Sequence, residues 1–371
     1  MKLALRELRR RPNRFAVATV VLSLIALLLM FLGGLLDGLT AGSTGALRAQ
    51  EGDLIVYSAT SEESFERSRL TPAIRAAVDE VAGEGAVGGL GTVQLGARLD
   101  GRDARDLVPV VVIGYETAPR GLPDEVPGPG EVYADESLRA EGVEEGTTLL
   151  LGPARTEVEV IGFLDDSRYS GQGTLWGSLD TWRGTVADNR PGEQVGEGVV
   201  QAFVVRAGDA DPAALATEID GATDGATSTV TVQGAIDALP GLDQQQRVFN
   251  QIIGVTVVIA IVVVALFFAL ITVERTGLYG VLKAVGASSL FLFAGVLLQA
   301  LVVTIIAAAV GIAASLAVDA LVPAGGIPFV AQPARLIGSV GYLVLAAVVG
   351  CALSLRRVLR VDPAAAIGGG S

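Results

Sequence analysis

Four long uncharged stretches constrain this chain more than anything else in it: Phe15 to Leu36, Phe249 to Val273, Ala284 to Val318 and Leu336 to Leu355. A bilayer core is crossed by about 20 apolar residues of helix, so each stretch can span, and the third has length to spare. One lies near the start and three near the end, and the long segment between them has no membrane-length apolar run. This layout is that of a polytopic membrane protein holding one large domain on one side. The 51% hydrophobic content agrees, being more than a soluble domain of this size needs.

The charges are partitioned in the same way. Lys2, Arg6, Arg9, Arg10, Arg11, Arg14, Arg275, Lys283, Arg356, Arg357 and Arg360 sit at the ends of the runs, against only Glu7, Glu274 and Asp362. The stretch Asp37 to Val248 holds 15 Arg, no Lys and 36 acidic residues, a net charge of −21. Positively charged connections stay in the cytoplasm. Both termini and the connection after the second run are therefore expected inside, and the acidic segment outside, in the plasma membrane. The expected fold class is membrane α-helical, four transmembrane helices arranged one plus three, with an inserted extracytoplasmic α+β domain.

The expected segments follow in order. A cytoplasmic amphipathic helix covers 1–14, the first span 15–37, the outer domain 38–234 and a stalk 235–248. The second span covers 249–273, a short cytoplasmic helix 274–288, the third span 289–320, an outer loop 321–334, the fourth span 335–355 and a cytoplasmic tail 356–367. Leu3, Leu5 and Leu8 among Lys2, Arg6, Arg9 and Arg10 suit a helix lying on the inner leaflet, with Pro12 separating it from the span. The first run is too long for a signal peptide and lacks an Ala-x-Ala-like site, with Gly42-Ser43 the weak rival. Residues 368–371, Gly-Gly-Gly-Ser, read as an appended linker. The single cysteine, Cys351, reads as a small buried hydrophobe, so no disulfide staples the outer domain.

Within the outer domain, strands are expected at Asp53–Ser58, Gly91–Leu99, Leu107–Tyr115, Glu131–Ala134, Thr147–Leu151 and Glu157–Phe163, with a helix over Thr71–Val81 and a short one near Glu136–Glu141. Asp165–Gly173 reads as a polar loop. Gln201–Arg206, Asp211–Asp220 and Ser228–Val232 repeat the strand–helix–strand rhythm of Asp53–Leu99, which points to a split βαβ domain.

The sharpest local signal is VERTGLYGVLKAVGAS, Val273 to Ser288. It reads as a charged turn and then a short helix with Leu278, Val281, Leu282 and Val285 on one side. Such a helix can dock into a groove of a soluble motor, or it can be an ordinary inside loop. Glu274, Arg275, Gly280, Val281, Leu282, Lys283, Ala284, Gly286, Ala287 and Ser288 resemble the "ER…E-I-G-x-L-[RK]-A-[IL]-G-A-S" signature of MacB/FtsX-type ABC transporter permeases, with Tyr279 where an acid is usual. Arg360 to Ala364 is similar to the ending of that family, and Val132 to Phe163 to its extracytoplasmic stretch. The layout resembles most the DevC/HrtB-like branch, which includes haem and glycolipid exporters.

The resemblance implies a homodimeric type VII permease that binds a separate cytosolic ATPase dimer and moves its outer domain by mechanotransmission. Glu274–Ser288 would be the coupling helix, and residues 1–14 the elbow helix. The expected task is export or extraction of a hydrophobic or amphipathic molecule (haem, lipid, peptide or drug) from the membrane. One rival is a signal transmitter that switches an extracellular partner such as a cell-wall hydrolase without transport. Another is a membrane-anchored receptor with no motor.

No Gly-x-x-x-x-Gly-Lys-[Ser/Thr] occurs, so ATP and Mg are expected on the partner ATPase and no cofactor on this chain. Zero histidines exclude Ser-His-Asp catalysis and His-ligated metal sites, and no catalytic residue is expected. The acidic balance disfavours nucleic acid. Glu144-Glu145 and Asp165-Asp166 read as solvated loop charges. Met30, Tyr57 and Tyr169 are the candidates for contact with a haem iron, each also readable as packing. Met30, Asp37 and Asp243 are the candidate substrate residues, the two acids also readable as interface charges at helix ends.

Overall fold

The computed structural model of the chain describes residues 12–99, 105–192, 195–274, 276–322 and 327–358. The expected helix over residues 1–11, Arg275, the tail motif Arg360–Ala364 and the linker lie outside them. In chain order the elements are α1 (Pro12–Arg48), β1 (Leu54–Ser58), α2 (Pro72–Ala82), β2 (Val87–Leu99), β3 (Val108–Tyr115), β4 (Glu131–Asp135), a 3₁₀ turn (Glu136–Glu141), β5 (Thr148–Leu151), β6 (Thr156–Leu164), β7 (Gly173–Ser178), α3 (Leu179–Asn189), β8 (Ala202–Val205), α4 (Pro212–Ala222), β9 (Thr227–Thr231), α5 (Val232–Asp237), α6 (Leu242–Glu274), α7 (Thr276–Ala284), α8 (Ser289–Leu321) and α9 (Pro333–Val358). They form two compact units. The chain passes from one to the other within α1, after Gly38, and within α6, after Gln245.

Among the described residues, four helices are long and apolar enough to cross a membrane: Phe15–Arg48, Leu242–Glu274, Leu290–Leu321 and Pro333–Ser354. Helices are the form expected there, because a bilayer offers the backbone no water to bond. Phe15, Ala18 and Leu22 of α1 pack with Val264, Phe268 and Ile271 of α6, with Ala300, Val303 and Ala307 of α8, and with Ala347 and Cys351 of α9. Cys351 thus packs as a small apolar residue. Lipid tails are as apolar as these side chains, so close approach of backbones carries much of the association. A Cβ added at Gly350 would lie 2.9 Å from the Ile261 carbonyl oxygen and 2.9 Å from Val264 Cβ. Gly350→Val should therefore push α9 off α6 and cost about 1–3 kcal/mol. Thermal unfolding of the detergent-solubilised chain should show a clear drop for this variant and none for Gly338→Val, whose surroundings are open.

α1 does not end where the uncharged run ends. Gly38 to Arg48 contains Gly42, Ser43, Thr44 and Gly45, a composition that reads as loop, yet it is helical. The Ser43 and Thr44 hydroxyls donate to the Leu39 and Thr40 carbonyls, both at 2.8 Å, and so find partners inside the helix. The stalk region holds two helices, α5 and the start of α6, separated where Pro240 precedes Gly241 at φ 82°. Spans were expected over 289–320 and 335–355; α8 and α9 cover Ser289–Leu321 and Pro333–Val358.

The second unit is built on nine strands in the order β3-β7-β4-β6-β5-β2-β8-β1-β9, with a further β3–β2 pairing. Strands β1 and β2 lie parallel with β8 antiparallel between them, and β9 flanks β1. The halves β1–α2–β2 and β8–α4–β9 interleave as the split βαβ unit that the rhythm of the sequence predicts. What the rhythm does not reveal is the barrel inserted between the halves. β2 is long enough to serve both parts. Its Leu90–Ala97 pair with β3, while on the other edge Val87–Leu90 pair with β8 and Ala97–Leu99 with β5. The ring β2-β3-β7-β4-β6-β5 then closes on itself, which leaves no free edge among those six strands.

β7 and α3 were not anticipated. The glycines opposite each other in register, Gly91 and Gly114, explain how α3 is seated. A Cβ at either would come within about 2.6 Å of fully buried Trp182 of α3. Both faces of β1 are buried. Leu54 and Val56 join the core under α2 and α4, and Ile55 and Tyr57 a second core on the opposite face.

Candidate functional site

The segment between α6 and α8 is shaped by its own residues. α7 stops at a glycine lock. Gly286 has φ +101°, its N–H donates to the Lys283 carbonyl at 3.0 Å, and the Ala287 N–H donates to the Leu282 carbonyl at 2.9 Å. This is the two-bond glycine stop of a helix, and it needs a residue without a Cβ at Gly286. Two residues on, the Ser288 side chain accepts from the Phe291 N–H at 3.2 Å and starts α8. Gly-Ala-Ser is thus stop, link and start in three residues, and it holds α7 as a separate short helix between two spans.

Val281 and Val285, one turn apart on α7, are 62% and 83% exposed, and Leu290 and Phe291 at the start of α8 are exposed too. Glu274, Ala284 and Ser288 are exposed, and Gly280, Leu282, Lys283 and Ala287 are half-buried. Where Leu282 and the two valines were expected on one side, the valines share an open face from which Leu282 is turned aside. An apolar ridge rimmed by charge on a short helix is a docking feature in chemical character.

The candidate substrate residues separate. Met30 is fully buried with Ala26, Leu29, Ala308, Leu336 and Leu343, and its sulfur fills the notch left by Gly311. Asp243 is exposed in the first turn of α6, where the helix dipole favours a carboxylate, and belongs to the other unit. Asp37 is the informative one. It is buried within α1, and its carboxylate takes the fork of Arg335. Nε lies 3.1 and 3.0 Å from the two carboxylate oxygens and Nη2 2.5 Å from one. The Arg335 stem lies over Gly33, where a Cβ would come within 3.0 Å. The Phe329 ring occupies the space at Gly34 and stacks on Phe31 at 5.5 Å, while the Val330 N–H donates to the Gly34 carbonyl at 3.0 Å. Sequence reading missed Arg335. The available signal was that it directly precedes the fourth uncharged run, as Asp37 directly follows the first.

In the second unit, Ala46 and Leu47 at the end of α1 and Leu242 at the start of α6 are buried in one core, with Tyr57, Phe65, Tyr115, Tyr169 and Trp176. The two helices that run on into the membrane unit therefore share one root. Burial pushes the Tyr57 and Tyr169 phenols well above their ordinary pKa, and Tyr115 up to about 12. Both rings are buried, each packed edge-on against Phe65, at 5.2 Å for Tyr57 and 5.9 Å for Tyr169.

Among the described residues, four membrane-length apolar helices, an inserted α+β domain and an exposed short helix after the second span make the layout of a multi-pass membrane protein. Residues 250–363 match the FtsX-like permease C-terminal family. Over its whole length the chain is 21% identical to the putative hemin transport system permease protein HrtB of Staphylococcus haemolyticus, covering 99% of it. It is 22% identical to that of Staphylococcus epidermidis strain RP62A, covering all of it. Half of the chain overlays 92% of the periplasmic region of MacB from Actinobacillus actinomycetemcomitans at 12% identity and a TM-score of 0.36. The match over residues 250–363 and the full-length likeness to the two hemin permeases support an FtsX-type ABC permease. The four membrane-length helices and the permease match indicate a plasma-membrane permease subunit.

Proposed function

We propose that this permease works as a homodimer on a separate cytosolic ATPase dimer that carries the ATP and Mg, and that it exports or extracts a hydrophobic or amphipathic molecule from the membrane. Both termini and α7 lie inside, and the nine-stranded unit outside, a reading supported by the basic flanks and the net charge of −21 between the spans. The ATPase takes the Val281–Val285 ridge and its rim from Glu274 to Ser288. The observation that carries the reading is the shared root of α1 and α6. Ala46, Leu47 and Leu242 sit in one core, so a tilt of either helix driven from inside reaches the same place in the outer domain.

Hemin heads the substrate classes because two full-length relatives carry hemin transport in their names. Met30 is packed, so contact with a cargo would fall to other membrane-facing residues. Lipids, peptides and drugs complete the class. The permease–ATPase complex in nanodiscs, titrated with hemin and a panel of amphipathic compounds, should hydrolyse ATP faster with at least one of them. A Soret shift on hemin addition would identify haem as the cargo. A rate that responds only to an added extracellular protein would overturn export in favour of signal transmission.

A further inference from the structure

The loop between barrel strands β6 and β7, residues 165–172, holds the last turns of α1, and Asp166 is therefore more than the solvated charge it resembles in sequence. Three main-chain bonds join the two. Ser170 N–H donates to the Ser43 carbonyl at 3.2 Å, Gly171 N–H to the Gly42 carbonyl at 3.0 Å, and Ala46 N–H to the Arg168 carbonyl at 3.0 Å. Gly45 lets the backbones meet. A Cβ there would lie 2.6 Å from the Asp166 carbonyl oxygen and 2.8 Å from the Arg168 nitrogen, neither of which can swing aside as a side chain could. Arg48 closes the contact with two bonds to the Asp166 carboxylate, at 2.6 and 2.8 Å.

The same loop is rooted in the barrel. Buried Asp135 of β4 accepts from the Ser167 N–H at 2.9 Å and from its hydroxyl at 2.8 Å, and its other oxygen accepts from Ser137. Thr174 of β7 donates to the Ser167 carbonyl at 3.0 Å and accepts from the Trp176 indole at 2.8 Å. Asp166 and Ser170 hold φ near +50°, a conformation that non-glycine residues adopt at a cost and keep only where surrounding contacts impose it. An ordinary surface loop has no need of a strained backbone, a buried carboxylate anchor and a glycine cut into the helix it touches.

We infer that this loop is the joint through which movement of α1 enters the barrel, with Gly45 and the Arg48–Asp166 pair as its positioning residues. The inference rests on the mechanotransmission reading above. A joint of this kind is rigid in use. Its main-chain bonds resist sliding along the helix axis, and the charge pair resists rotation about it.

The test uses the full-length permease with its ATPase in nanodiscs, with Cys351→Ala removing the native thiol and Glu145→Cys carrying a spin label on the barrel. Distances between labels on the two copies are measured by pulsed electron resonance without nucleotide and with ATP and vanadate. The parent should show a nucleotide-driven shift. Gly45→Val, Arg48→Glu and Asp166→Arg should each lose it while basal ATP hydrolysis stays at the parent rate, and the swap Arg48→Glu with Asp166→Arg should bring it back. The swap keeps the test decisive if Gly45→Val fails to fold. Shifts of parental size in both single charge reversals would overturn the joint and leave mechanotransmission standing. No shift in the parent would overturn mechanotransmission, and the joint with it.

Discussion

Replacing Leu282 and Lys283 together, by Asp and Glu, should release the ATPase from the permease while leaving the permease folded and inserted. The open face of α7 is made by Val281 and Val285, and Leu282 and Lys283 form its half-buried shoulder. On the proposed docking, an acid at 282 puts a charge on the shoulder of the apolar ridge, and an acid at 283 inverts the sign of the rim. Losing an anchor of this kind costs at least about 2 kcal/mol, or roughly 30-fold in affinity. Co-purification should fall to background, and whatever hydrolysis remains should no longer respond to a cargo. Gly286→Val makes the useful comparison. It leaves every docking side chain in place but asks a β-branched residue to hold φ +101°, so it should misdirect α7 and weaken coupling more than binding. Full co-purification and normal hydrolysis in the Leu282/Lys283 variant would remove the docking role.

Asp37→Leu should be the most damaging single change in the membrane unit. It leaves the Arg335 guanidinium beside α1 without the carboxylate that holds both of its prongs. Breaking a buried pair by removing one partner costs about 3–5 kcal/mol; with the Arg335 side chain 37% exposed, about 2–3 kcal/mol is the reasonable expectation. The double variant Asp37→Leu/Arg335→Leu removes both charges and should recover most of that loss, since an apolar pair has no stranded charge to solvate. Thermal unfolding of the three proteins in nanodiscs distinguishes the cases. A single and a double variant of equal stability would mean that the pair contributes shape and not charge.

Much of this architecture can be read from the residues, and the parts that cannot share a physical cause. The spans are visible because lipid demands long uncharged helices, and Phe249 to Val273 or Leu336 to Leu355 can be little else. The split βαβ unit is visible because strand, helix and strand recur with their own caps, Pro72 opening α2 and Asp211 capping α4. The Gly286-Ala287-Ser288 stop and start is equally local.

The non-local parts are hidden. The closed barrel depends on β2 being shared between two sets of partners, which no window of sequence contains. β7, with glycines at both Gly173 and Gly177, reads as a continuation of the polar loop before it. Asp37 finds its partner 298 residues away. The helical character of Gly42 to Arg48 was masked by Gly42 and Gly45, and Gly45 is explained by the Asp166–Arg168 backbone packed on it.

The central claim is that α7 faces the cytoplasm, where a motor can reach it, while the barrel stands on the opposite side. A membrane-impermeant maleimide applied to intact cells tests it most directly, using single-cysteine variants on the Cys351→Ala background at two exposed positions, Val285 of α7 and Glu145 before β5. Glu145→Cys should label in intact cells, and Val285→Cys only after the cells are opened. Labelling of Val285→Cys from outside, with Glu145→Cys protected, would contradict the account.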